Sequence, residues 1–138
     1  MTQSGHILVA EDDSTDAYFF QRAFNRAGIP VTLHFVRDGQ EVLDYLQGEG
    51  QFADRAAHPL PQLLLLDLKM PRLDGFEVLE WLKGHPEHGE IPIVVLSGFV
   101  DMVEQVTRAY NRGAHSFLTK PVQLRDIQSI LSLLKISI

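Results

Sequence analysis

Four leucines in a row, Leu63-Leu64-Leu65-Leu66, stop abruptly at a carboxylate, Asp67. The run is too short for a globular helix and leaves no polar position for water on either side. It therefore reads as a strand buried on both faces of a sheet. Such a strand constrains the whole chain, because it needs helices above and below it and parallel neighbours reached by crossovers. It also carries Asp67 to the end of a buried strand, where a charge is costly without a cation or hydrogen-bond partner.

Other apolar runs end in the same way. Ile7-Leu8-Val9-Ala10 leads into Glu11-Asp12-Asp13, Val94-Val95-Leu96 into Ser97, and Phe117-Leu118 toward Lys120. Helical patterns lie between the runs. The first spans Ser14 or Thr15 to Ala27, with Ala17, Phe20, Ala23, Phe24 and Ala27 on one face and Gly28-Ile29-Pro30 as the stop. Val31–Val36 alternates as a strand, and a short helix follows Asp38-Gly39 through Val42, Leu43 and Leu46. Gly48 to Gln62 reads as a long loop and Gly84 to Glu90 as a shorter one. A helix starts at Asp74 and carries Phe76, Val78, Leu79 and Leu82. Ile91 to Leu96 is a fourth strand, Val100 or Asp101 to Asn111 a helix, Ser116 to Thr119 a fifth strand, and Val122 to about Ile136 the last helix. The expected fold is α/β, a five-stranded parallel sheet with helices on both faces. Ligands of such open sheets bind beyond the carboxyl ends of the strands. Glu11, Asp12, Asp67, Ser97 and Lys120 all fall there.

Composition narrows the function. The 138 residues fit one domain spanning 1–138, with no linker toward an effector domain. The net charge of −6 argues against a nucleic-acid surface. There is no cysteine, which excludes disulfides, thiolate zinc sites and thiol catalysis. No signal-peptide pattern opens the chain, and its longest apolar stretch, about Ile91 to Val100, is too short to span a bilayer. A cytoplasmic protein with no membrane partner is the expectation.

Clustered carboxylates raise one another's pKa unless they share a cation. Mg²⁺ suits them, since it takes oxygen ligands and keeps several waters. Glu11, Asp12 and Asp67 could supply those ligands. Asp67 could also be a nucleophile toward phosphorus. Lys120 and the Ser97 hydroxyl could then meet phosphoryl oxygens.

Glu11-Asp12, Asp67, Met70-Pro71, Asp74-Gly75, Ser97 and Lys120-Pro121 together resemble the receiver domain of two-component response regulators, across essentially the whole chain. The resemblance implies a flavodoxin-like strand order of 2-1-3-4-5. It implies a phosphoryl group passed from a sensor histidine kinase to Asp67 with Mg²⁺, one ligand being the backbone carbonyl of Lys69. It implies that the protein is a phosphoacceptor that assists its own phosphorylation and dephosphorylation, not an enzyme acting on other substrates. Phe117 matches the family's aromatic switch position, and the Lys120-Pro121 bond is expected to be cis. Glu11 to Asp16, Arg37-Asp38-Gly39, the loop near Phe52 to Pro61 and Asp67 to Pro71 are similar to single-domain regulators serving phytochrome-type kinases. Output would pass to a downstream protein by contact or phosphorelay.

Plainer readings stand beside these. Asp13 reads as a helix cap, and Asp74-Gly75 as a turn and helix start. Phe117 fits a core residue as well as a switch. His85 and His88 have metal-like spacing but read as solvated, His115 is assigned no role, and Trp81 and Tyr110 read as packing. Leu133 and Ile136 lie off the core stripe of the last helix (Ile127, Ile130, Leu131, Leu134, Ile138), and offer a homodimer patch against an equal case for a monomer. Two rival functions are a Mg²⁺-dependent aspartate-nucleophile phosphatase and a receiver-like module that is never phosphorylated. A phosphatase resembling the haloacid-dehalogenase family would need a second acid two residues after Asp67, where this chain has Lys69.

Overall fold

The computed structural model describes residues 5–28, 30–98, 102–120 and 122–133. They alternate as β1 (Gly5–Ala10), α1 (Ser14–Ala27), β2 (Val31–Val36), α2 (Gly39–Gln47), β3 (Leu63–Asp67), α3 (Gly75–Lys83), β4 (Ile93–Ser97), α4 (Met102–Asn111), β5 (Ser116–Thr119) and α5 (Leu124–Leu133). All strand pairings are parallel, in the order β2-β1-β3-β4-β5. This is the expected class and order.

The period-2 alternation of the strands builds two cores. Leu8, Ala10, Leu64, Leu66 and Val95 face α2 and α3. Their neighbours Ile7, Val9, Leu63, Leu65, Val94 and Leu96 face Phe20 and Phe24 of α1 and Ile127 and Leu131 of α5. All five residues of β3 are buried, because the strand is central and covered on both sides. The chain leaves β1 toward β2 and returns to pair β3 on the other side. That reversal opens a crevice at the carboxyl ends of β1 and β3.

Local chemistry sets the helix starts around the crevice. Asp13 caps α1, accepting hydrogen bonds from the backbone N–H groups of Thr15 (2.8 Å) and Asp16 (3.1 Å). Asp74 and Glu77 form a reciprocal capping box at the start of α3. We therefore expect Asp13→Ala to cost about 1 kcal/mol in chemical denaturation while leaving metal binding intact. Equal losses of metal affinity in Asp13→Ala and Asp12→Ala would contradict that separation.

The structure corrects some expectations and adds detail to others. β4 begins at Ile93, not Ile91, because Pro92 has no N–H to give the ladder; its carbonyl instead accepts from the Leu64 N–H. The 48–62 segment is ordered by tertiary contacts. It contains a 3₁₀ turn at Gly50–Phe52, with Phe52 buried. Arg55 reaches back to donate to the carbonyls of Tyr45 and Leu46, each at 2.7 Å, at the end of α2. His85 and His88 are half-buried against Trp81 rather than solvated, with ring centroids 3.7 and 5.9 Å from the indole. His115 uses Nδ1 to accept from the Ile93 N–H at 3.0 Å, a structural role. Pro121, Leu134, Ile136 and Ile138, and the side chains of Ile130 and Leu133, lie outside the described residues. The cis bond and the homodimer patch fall there.

Candidate functional site

Register brings the polar residues together. Ala10 pairs with Leu66, so Glu11 and Asp67 are the next residues along adjacent strands. Both are buried, Glu11 at 2% exposure and Asp67 at 5%. Ser97 ends β4, also buried, and its carbonyl accepts from the Lys120 N–H at 2.9 Å. That bond points the end of β5 toward the crevice between β1 and β3.

The Lys120 ammonium sits among three carboxylates. Its Nζ donates to Asp67 Oδ2 at 2.7 Å and to Asp16 Oδ2 at 3.2 Å, and lies 2.7 Å from Glu11 Oε1. The contact with Glu11 is an ion pair without hydrogen-bond alignment, so Oε1 remains a buried oxygen with no hydrogen bond. Asp67 Oδ1 accepts from the Lys69 backbone N–H at 3.0 Å. Ser97 Oγ lies 2.8 Å from Gln105 Oε1 and 2.9 Å from the Gly98 carbonyl, and its single hydrogen serves those two acceptors. Phe117 is half-buried, packs against the core and meets Tyr110 edge-on. The open cleft bounded by Glu11, Asp12, Asp67, Ser97 and Lys120 holds about 350 Å³.

Electrostatics follow from this crowding. Burial pushes the Glu11 carboxyl up to about 8 from its ordinary 4.5; Lys120 opposes that shift and Asp67 adds to it. Burial alone would lower the Lys120 ammonium, but the hydrogen bond to Asp67 and the adjacent Glu11 carboxyl reverse the balance and hold it above the ordinary lysine range. The site therefore favours the charged form of the lysine and opposes the charged form of Glu11.

Glu11, Asp12 and Asp67 each present a carboxylate oxygen, all within 4.8 Å of one another. The set fits a hard divalent cation, which takes oxygen ligands. Glu11 Oε1 makes no hydrogen bond and is held only by the Lys120 charge at 2.7 Å, so a cation there would take the place of the lysine.

A carboxyl whose folded pKa lies above its unfolded one makes the folded state bind the extra proton, so its contribution to stability falls as pH rises from 4.5 toward about 8. A cation at Glu11 must displace that proton. Mg²⁺ affinity should therefore rise with pH across this window, with proton release. Calorimetry in buffers of different ionisation enthalpy measures it, and pH-independent affinity with no proton release would contradict the assignment.

Two residues at the site went unassigned in the sequence reading. Asp16 reaches Lys120 from the first turn of α1, and Gln105 reaches Ser97 from α4. Both lie on helices, where a single polar residue has no distinguishing pattern.

A model of the family described as the response regulator receiver domain matches residues 7–132. The probable methanogenesis regulatory protein FilR2 of Methanothrix harundinacea is 34% identical over 129 residues, covering 94% of this chain and 80% of that protein. Response regulator Rcp1 of Synechocystis is 34% identical over 121 residues, 88% of this chain and 80% of Rcp1. A structure of Rcp1 in its Mn²⁺-bound form superposes with a TM-score of 0.79 and 32% identity, covering 97% of each chain. The bacteriophytochrome response regulator RtBRR gives a TM-score of 0.85 at 32% identity, covering 99% of this chain and 81% of that one.

Proposed function

This chain belongs to the response regulator receiver domain family, whose members are phosphorylated on an aspartate in two-component signalling, and we propose that Asp67 is its phosphoacceptor. The observation that carries the reading is the convergence of Lys120 on Asp67 and Glu11 within 2.7 Å, beside an acidic trio open to a cleft. In the proposed step an Asp67 oxygen attacks phosphorus and the bond from phosphorus to the kinase's histidine nitrogen breaks, that nitrogen keeping the electron pair. Lys120 and Ser97 receive the phosphoryl oxygens, Ser97 by giving up Gln105 or Gly98. Mg²⁺, held by Glu11, Asp12, Asp67 and the Lys69 carbonyl, would offset charge on the transferring group. The Lys69 N–H bond to Asp67 Oδ1 orients the carboxylate.

The donor in this reading is a sensor histidine kinase. A phytochrome-type kinase is supported by the likeness to RtBRR, described as a bacteriophytochrome response regulator. Phosphorylation shifts a two-state equilibrium in the surface of α4, β5 and α5 through Ser97, Phe117 and Lys120, and a downstream protein reads that surface. The same residues support slow loss of the phosphoryl group to water. Among the described residues no helix is long and apolar enough to cross a membrane. The phosphatase reading is disfavoured by the exposed Lys69 where that chemistry needs an acid. The non-phosphorylated module is disfavoured because every required side chain is present and convergent.

Intact-mass spectrometry after acetyl phosphate treatment tests the reading. One labile adduct should form with Mg²⁺ and none with a chelator. An adduct that forms equally without metal, or none under any condition, would overturn it.

A further inference from the structure

Asp16 is a third carboxylate on the Lys120 ammonium, and the reaction as described above does not use it. It stands in the first turn of α1, three residues after the Asp13 cap, and its Oδ2 accepts from Lys120 Nζ at 3.2 Å. Its side chain is 39% exposed, against 0% for Glu11 and 7% for Asp67, so it meets the lysine from the outer rim of the cleft.

The other two carboxylates are ones a divalent cation also needs. Glu11 and Asp67 belong to the acidic trio, whereas Asp16 does not. Lysine and metal therefore compete for the same inner oxygens. Phosphorylation would further convert the Asp67 carboxylate to an acyl phosphate and move the negative charge outward onto the phosphoryl oxygens. Asp16 is the carboxylate on the lysine that neither event occupies.

We propose that Asp16 is a positioning residue: it holds the Lys120 ammonium at the mouth of the cleft when metal and phosphoryl group occupy Glu11 and Asp67. The inference rests on the assignment of Asp67 as phosphoacceptor. The bland alternative is a helix-start carboxylate that only complements the dipole of α1. The two readings differ in one respect. A dipole residue acts on α1 whatever stands at 120, whereas a positioning residue acts only through Lys120.

The test is a double-mutant cycle read by binding of beryllofluoride in saturating Mg²⁺, a phosphoryl mimic that needs no turnover. Asp16→Asn should weaken binding about fivefold, in line with a partly exposed ion pair. Asp16→Glu, which keeps the charge, should recover most of that loss. In the Lys120→Met background Asp16→Asn should have no further effect. Should Lys120→Met fail to fold, the exchange rate of the Lys120 ammonium protons supplies the second reading; Asp16→Asn should raise it in the metal-bound intact chain. Equal effects of Asp16→Asn in both backgrounds, or no effect on binding or ammonium exchange, overturn the proposal. Failure of the parent to bind the mimic removes the phosphoacceptor reading as well. Normal parent binding with an additive cycle removes only the role of Asp16.

Discussion

Asp67→Asn is expected to abolish the acetyl phosphate adduct while leaving the protein folded. The two properties separate because the substitution keeps shape and changes chemistry. An asparagine oxygen can still accept from the Lys69 N–H, which now bonds Asp67 Oδ1 at 3.0 Å. It is no nucleophile toward phosphorus, and it takes one negative charge out of the acidic trio. Mg²⁺ affinity should fall at least about tenfold with that charge.

Stability should change little, because two effects oppose each other. Lys120 loses a charged hydrogen-bond acceptor at 2.7 Å. Glu11 loses a neighbour that raises its pKa, so it ionises more readily and pairs better with the same lysine. The expected net change is about 1 kcal/mol or less. Intact mass and thermal melting read the two properties on one sample. An undiminished adduct in Asp67→Asn would show that another side chain takes the phosphoryl group.

The strand ends were legible because they combine two strong signals. An unbroken apolar run such as Leu63 to Leu66 allows one kind of strand, and the residue that ends it must lie at the sheet's edge of burial. Glu11, Asp67 and Ser97 were located by that rule, and each is buried as a strand-end polar group. Features made by long-range reach were not legible. Arg55 orders the 48–62 segment by capping the end of α2, a contact that exists only after folding. Trp81 draws in His85 and His88, whose Pro/Gly neighbourhood reads as solvated coil. Arg72 takes a left-handed conformation, φ 64°, where glycine is usual, and its guanidinium forks onto Asp38, the cap of α2. Asp16 and Gln105 were missed for the same reason: nothing local distinguishes them from other polar residues on a helix.

Lys120→Met should destabilise the metal-free protein and make its stability strongly dependent on Mg²⁺. Methionine keeps an apolar stem of similar length, so the loss isolates the ammonium. That ammonium is the cation within 3.2 Å of Glu11, Asp67 and Asp16, and the first two side chains are almost wholly buried. Removing it leaves two buried carboxyls on adjacent strand ends with no compensating charge among the described residues. Breaking a buried pair by deleting one partner costs about 3–5 kcal/mol. Glu11 limits the loss by taking up a proton more readily, since the lysine that opposes the rise in its pKa is gone. At neutral pH the expected cost is about 2–3 kcal/mol, and it grows as pH rises and the proton is drawn off. Mg²⁺ supplies the missing charge. Free metal at about 100 times its dissociation constant adds about 2.7 kcal/mol of stability, enough to offset most of the loss. The variant should also bind Mg²⁺ more tightly than the parent, because the lysine no longer competes for Glu11 and Asp67. Denaturant titrations of both proteins, with and without Mg²⁺, measure these shifts. A variant as stable as its parent without metal, and no more responsive to it, would show that Lys120 does not neutralise the acidic site.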